Sequence, residues 1–133
     1  MVRVMIVDDS LLARNAIQRA LEVDKRIEIV GTAGHGMEAL QKIPTLLPDV
    51  MTCDMEMPEM DGVQTLMSVR KQFPKLKVIV LSSITQPNSA KEQLCRNLGA
   101  FAVMAKPVKN SNMNAITDGT DLIQNIHRAM GES

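Results

Sequence analysis

The chain has 133 residues, a length that suits one domain with its own core. Its 15 basic and 15 acidic side chains cancel to zero formal charge, so no long-range field draws it to nucleic acid or to an anionic membrane, and neither is expected as a direct partner. The apolar N-terminal run, Met1 to Val7, is too short for a signal-peptide core or a membrane span, and Cys53 and Cys95 lack a metal-ligand spacing, so a cytoplasmic chain with two buried thiols is expected.

Along the chain, short apolar runs alternate with segments of helical period. Val4 to Val7 is the first run, and Ala13, Ala16, Ile17, Ala20 and Leu21 follow at three- and four-residue spacing, with Ser10 placed to cap that helix. Ile27 to Val30 is the second run. The helix after it carries Ala39, Leu40, Ile43 and Leu47 but also Pro44, which should end or kink it. Val50 to Cys53 is the third run, with Asp61-Gly62 opening a helix that carries Val63, Leu66 and Met67. Val78 to Leu81 precedes a helix whose stripe reads Ala90, Leu94 and Leu98. Ala102 to Ala105 is the fifth run. A polar stretch at 108–119 then reads as a loop before a last helix bearing Leu122, Ile123, Ile126 and Met130. His127 reads as a surface residue of that helix, and His35 as a loop residue.

Continuous apolar runs suit strands covered on both faces, and their alternation with helices predicts βαβ units around a parallel sheet in one domain, residues 1–133. Right-handed crossovers bring every strand's C-terminus to one edge. Asp8 and Asp9 then end the first strand, Asp54 the third, Ser82 the fourth and Lys106 the fifth. Three carboxylates crowded there cannot all stay ionised without shifted pKa values or a compensating cation. An all-oxygen set of this kind suits Mg²⁺, with Mn²⁺ the alternative. Lys106 offers a point charge and Ser82 a hydroxyl to the oxygens of an incoming phosphoryl group, with Asp54 as the nucleophile.

Val2-Arg-Val-Met-Ile-Val-Asp-Asp-Ser10, Asp54-Met-Glu-Met-Pro-Glu-Met-Asp-Gly62, Val78-Ile-Val-Leu-Ser-Ser83 and Gly99-Ala-Phe-Ala-Val-Met-Ala-Lys-Pro107 together resemble the receiver domain of two-component response regulators. The resemblance implies a flavodoxin-like, doubly wound sheet of strand order 2-1-3-4-5. It also implies a sensor histidine kinase as phosphodonor and an aspartyl phosphate on Asp54. By position it assigns Mg²⁺ to Asp9, Asp54 and the backbone carbonyl of Glu56, with Asp8 acting through water, and it makes Ser82 and Lys106 the switch hydroxyl and lysine. A cis bond before Pro107 is typical of the family. Output would pass to a downstream protein through the face made by the fourth helix, fifth strand and fifth helix, in a monomer or weak dimer. The family usually has an aromatic three residues before the lysine; here that position is Val103, with Phe101 two residues earlier.

The Asp-x-Glu-Met-Pro pattern at 54–58, with Val30-Gly-Thr-Ala33 and Leu81-Ser-Ser83, is most similar to receivers of chemotaxis methylesterases. A stand-alone signalling protein that modifies itself rather than turning over substrate is the expectation. The alternative is the receiver portion of a methylesterase or another multidomain regulator. An aspartyl-phosphate phosphatase is disfavoured, because its nucleophile belongs on the first strand. The acidic residues Glu56, Glu59 and Asp61 at the pocket mouth read either as a solvated turn or as a screen, with Glu56 setting the lifetime of the acyl phosphate.

Overall fold

The computed structural model describes residues 1–57, 60–82, 90–107 and 119–131. In chain order these form β1 (Val2–Val7), α1 (Leu11–Glu22), β2 (Ile27–Ala33), α2 (Gly36–Leu46), β3 (Val50–Asp54), α3 (Gly62–Gln72), β4 (Lys77–Ser82), α4 (Ala90–Asn97), β5 (Ala102–Ala105) and α5 (Thr120–Ala129). Neighbouring strands all pair in parallel, in the order β2-β1-β3-β4-β5. The predicted loop at 108–119 falls outside the described residues apart from Gly119, which sits at the N-cap of α5.

Strand alternation divides the core in two. Met5, Val7, Met51, Cys53, Val78 and Val80 face one side, where Ala39 and Ile43 of α2, Leu66 and Val69 of α3 and Cys95 of α4 cover them. Val4, Ile6, Val50, Ile79 and Leu81 face the other, under Ile17 and Leu21 of α1 and Leu122 and Ile126 of α5. Both cysteines are buried and free. Because both faces are dry, polar side chains gather at the strand ends, and the strand order reverses between β1 and β3, which opens a crevice there.

Several helix details differ from the sequence expectations. Pro44 does not end α2, which continues to Leu46 and closes at Leu47 in the left-handed region (φ 49°), with the Leu47 N–H donating to the Ile43 carbonyl. Leu47 is therefore exposed rather than part of the apolar stripe. In α3, Met67 is exposed and Thr65 and Val69 are buried instead. In α4 the buried side chains are Glu92 and Cys95, while Leu94 faces solvent; packing against α3 rotates the helix away from the stripe that hydrophobicity alone selects. His127 is buried against Asp24, not on the surface, and His35 caps α2 by accepting a hydrogen bond from Glu38 N–H. No cis peptide occurs among the described residues, so the bond before Pro107 is trans, the isomer with the lower intrinsic energy.

Candidate functional site

The first strand overruns by one residue, since Asp8 N–H donates to the Ala33 carbonyl at 3.0 Å and draws Asp8 into full burial at the end of β1. The next turn is tied to it: Ser10 N–H donates to Asp8 Oδ1 at 2.9 Å, and Ser10 Oγ accepts from Ala13 N–H at 3.1 Å, which starts α1. Between these two anchors Asp9 remains exposed. Asp54 ends β3 almost wholly buried, and its Oδ1 accepts a hydrogen bond from Glu56 N–H at 3.2 Å. The backbone there runs directly under α3. A Cβ on Gly62 would stand 2.5 Å from the Asp54 carbonyl oxygen and 2.6 Å from Met55 Cα, so only glycine lets the helix start so close. Asp61 caps that helix through a reciprocal bond pair with Gln64.

Lys106 leaves β5 with its N–H donating to the Ser82 carbonyl at 3.0 Å, which fixes the two strand ends together. Its Nζ then lies 2.9 Å from Asp8 Oδ2 and 3.2 Å from Asp54 Oδ1, bridging two buried carboxylates. Apart from this ion pair with Lys106, the buried Asp8 Oδ2 accepts no hydrogen bond among the described residues, so it retains capacity for a further partner. Oxygens from Asp8, Asp9 and Asp54 all lie within 4.8 Å of one another. Such a set of hard oxygen donors, one of them incompletely bonded, fits a small divalent cation.

Burial, and then the charge of Asp8, push the Asp54 carboxyl up to about 6, against the opposing pull of Lys106 and of the Glu56 N–H. Burial also works against the Lys106 ammonium, but contact with Asp8 and the charges of Asp8 and Asp54 outweigh it and raise its pKa. One cation therefore serves two acids and leaves Asp54 short of compensation.

The structure thus brings together Asp8, Asp9, Asp54, Lys106 and the backbone of Glu56. Ser82 joins them by its buried place at the end of β4 and its carbonyl bond to Lys106. The Glu56 side chain is exposed, and Glu59 lies outside the described residues. Val103 packs partly buried against the α3 side of the sheet, whereas Phe101 precedes β5 and is 40% exposed. Five residue steps of extended chain carry the backbone from Phe101 to Lys106, roughly 16 Å, so Phe101 lies at the far end of the strand. Sequence reasoning passed over Arg14, whose Nη1 donates to the Asp8 carbonyl at 2.7 Å. Its signal was present, because a residue four past the cap Ser10 sits one turn into the helix on the same side.

Comparison with known proteins bears on the family and the fold that carry this site. The family model described as response regulator receiver domain matches residues 4–118. A protein-glutamate methylesterase/protein-glutamine glutaminase of Clostridium acetobutylicum is 39% identical over 132 residues, covering 99% of this chain and 38% of that protein. Its counterpart in Bacillus subtilis is 38% identical over 126 residues, covering 95% of this chain and 35% of the relative. The chain spans well under half the length of these curated relatives. Among solved structures, the response regulator domain of Thermotoga maritima CheB superposes with a TM-score of 0.86 at 30% identity, covering 100% of this chain and 98% of that one.

Proposed function

The chain belongs to the response regulator receiver domain family, and from that premise we propose that it accepts a phosphoryl group on Asp54 from the phosphohistidine of a sensor histidine kinase. The observation that carries this reading is the convergence of three carboxylates within 4.8 Å around an ammonium that touches two of them. Asp9, Asp54 and the Glu56 carbonyl would hold Mg²⁺, or Mn²⁺ in its place, with Asp8 bound through water. When bound, the ion offsets negative charge on the transferring phosphoryl oxygens and orients them.

An Asp54 oxygen attacks phosphorus in line; the bond from phosphorus to the imidazole nitrogen breaks, and its electron pair leaves with that nitrogen. An acyl phosphate remains on Asp54. Lys106 follows the charge onto the phosphoryl oxygens and Ser82 donates its hydroxyl to one of them, and both residues are tied through the β4–β5 backbone to the output face of α4, β5 and α5. With Val103 in the family's aromatic position and Phe101 remote, no ring takes part in this switch. Glu56 stands at the mouth, where its carboxylate screens the acyl phosphate from water. All of residues 1–133 form the receiver. It acts in the cytoplasm, where kinase and target meet it, and its output is its own modification.

A second reading, that the receiver governs a chemotaxis methylesterase or glutaminase, is favoured by identity to such proteins across nearly the whole chain. Intact-mass measurement after incubation with Mg²⁺ and a small acyl-phosphate donor tests the first reading. One phosphate should add to the wild type, none after chelation, and none to Asp54→Ala. Uptake by Asp54→Ala, or no uptake by wild type with Mg²⁺ present, overturns it.

A further inference from the structure

We infer that Arg14 is a positioning residue for the divalent ion, acting through the peptide that joins Asp8 to Asp9; this rests on the proposed function, in which Asp9 is a ligand. Neither the sheet nor α1 supplies Asp9 with a fixed direction. It is exposed, one residue past the last sheet bond and one before the helix cap. What precedes it is a rigid plane, since the Asp8 carbonyl and the Asp9 N–H and Cα belong to one peptide unit. Holding that carbonyl sets the orientation of the plane and of the N–Cα bond from which Asp9 departs; Ser10 N–H on Asp8 Oδ1 holds the plane that follows, and the two planes together set the direction in which the Asp9 side chain leaves the backbone.

Arg14 holds it. The guanidinium reaches back one turn from α1 and donates Nη1–H to the Asp8 carbonyl at 2.7 Å, the short length of a charge-assisted bond. Opposite it stands Gly34, just past β2, where a Cβ would come within 3.4 Å of Nη1 and touch the guanidinium. Gly34 is itself held by its N–H bond to Glu38 Oε1 at 2.9 Å. The Asp8 turn is thus fixed at its amide by Ala33, at its side chain by Ser10 and at its carbonyl by Arg14. Only the last of these acts on the plane that leads into Asp9.

Charge and geometry predict opposite signs, which makes the inference decidable. A cation beside the acidic set repels a second cation, so by charge alone the loss of Arg14 would tighten Mg²⁺ binding. As a positioning residue, its loss should weaken binding, by about tenfold for a partner that orients a metal ligand. The experiment is calorimetric titration of Mg²⁺ into the unphosphorylated full chain as wild type, Arg14→Gln, Arg14→Lys and Asp9→Asn, with thermal midpoints recorded alongside. The expected result is a dissociation constant raised about tenfold in Arg14→Gln and partly restored in Arg14→Lys. An unchanged or tightened constant in Arg14→Gln overturns the inference, even if its thermal midpoint falls. Should Arg14→Gln not fold, Arg14→Lys decides by the same rule: weaker binding than wild type at an unchanged midpoint supports the inference, and equal affinity overturns it. Failure of wild type to bind Mg²⁺, or undiminished binding by Asp9→Asn, would instead overturn the site reading itself.

Discussion

Two aspartates in this molecule stand 3.2 Å from a cation and respond in opposite directions. Asp24, in the turn between α1 and β2, meets Arg26 Nη2 at that distance, and Asp54 meets Lys106 Nζ. Asp24 is held well below the usual carboxylate range by side-chain bonds from Arg26 and His127 and by the Arg26 N–H. Asp54 is pushed above that range by burial and by Asp8. Distance to a cation therefore decides little by itself; the difference lies in solvent, in like charge and in how many acids each cation serves. The Asp24 corner is a closed account of charges that ties α5 to the α1–β2 turn. The Asp54 corner holds surplus negative charge, which a cation or a phosphoryl group's ligands can use.

The largest expected effect comes from removing the shared cation. Lys106→Met should slow phosphorylation from a small donor by about 10²- to 10³-fold, as loss of one charge-stabilising donor does elsewhere. The measurement is the initial rate by intact mass at saturating Mg²⁺, and a rate within a few-fold of wild type would erase the distinction between the two corners. Next is the closed corner. Asp24→Asn should cost about 1.5 to 3 kcal/mol, the range for hydrogen bonds to charged groups, read from urea unfolding at neutral pH. Because the folded carboxyl is depressed, its contribution is present above the ordinary aspartate pKa and is lost as pH falls through the depressed one, so the deficit should close in acid.

The smallest effect has the reverse sign. In the metal-free protein, folded Asp54 holds its proton up to about 6 while the unfolded chain releases it near the ordinary value of 3.8. Stability from this group is full below the lower value and is lost as pH rises through the upper one. Asp54→Asn should therefore be more stable than wild type at pH 7.5, on the order of 1 to 2 kcal/mol, with no advantage at pH 3.5. Equal stability at both pH values would mean that the acid is not crowded.

The sheet and the acidic set were legible in the sequence because they rest on local signals. Apolar runs end in Asp8, Asp54, Ser82 and Lys106, and parallel topology does the rest. What escaped depended on helix rotation or on pairs distant in the chain. The burial of Cys95 was expected, but Glu92 faces inward beside it on α4 in place of Leu94, because neighbouring α3 and β5 set the rotation and hydropathy does not. His127 meets Asp24 across 103 residues, a partnership with no local mark. Arg14 lay within reach of sequence reasoning, yet its target is a main-chain oxygen, which no side-chain pattern displays.

Gly62 gives the acceptor strand an unusual mechanical neighbour. With the Asp54 main chain abutting the first turn of α3 and no side chain interposed, the joint has no slack in it. The strand and the helix meet there backbone to backbone, closer than any side chain would allow. The thickness of one missing methyl group therefore sets the tolerance of the part. Any larger residue at position 62 would act as a wedge, forcing the start of α3 away from the acceptor strand and disturbing the place of Asp54.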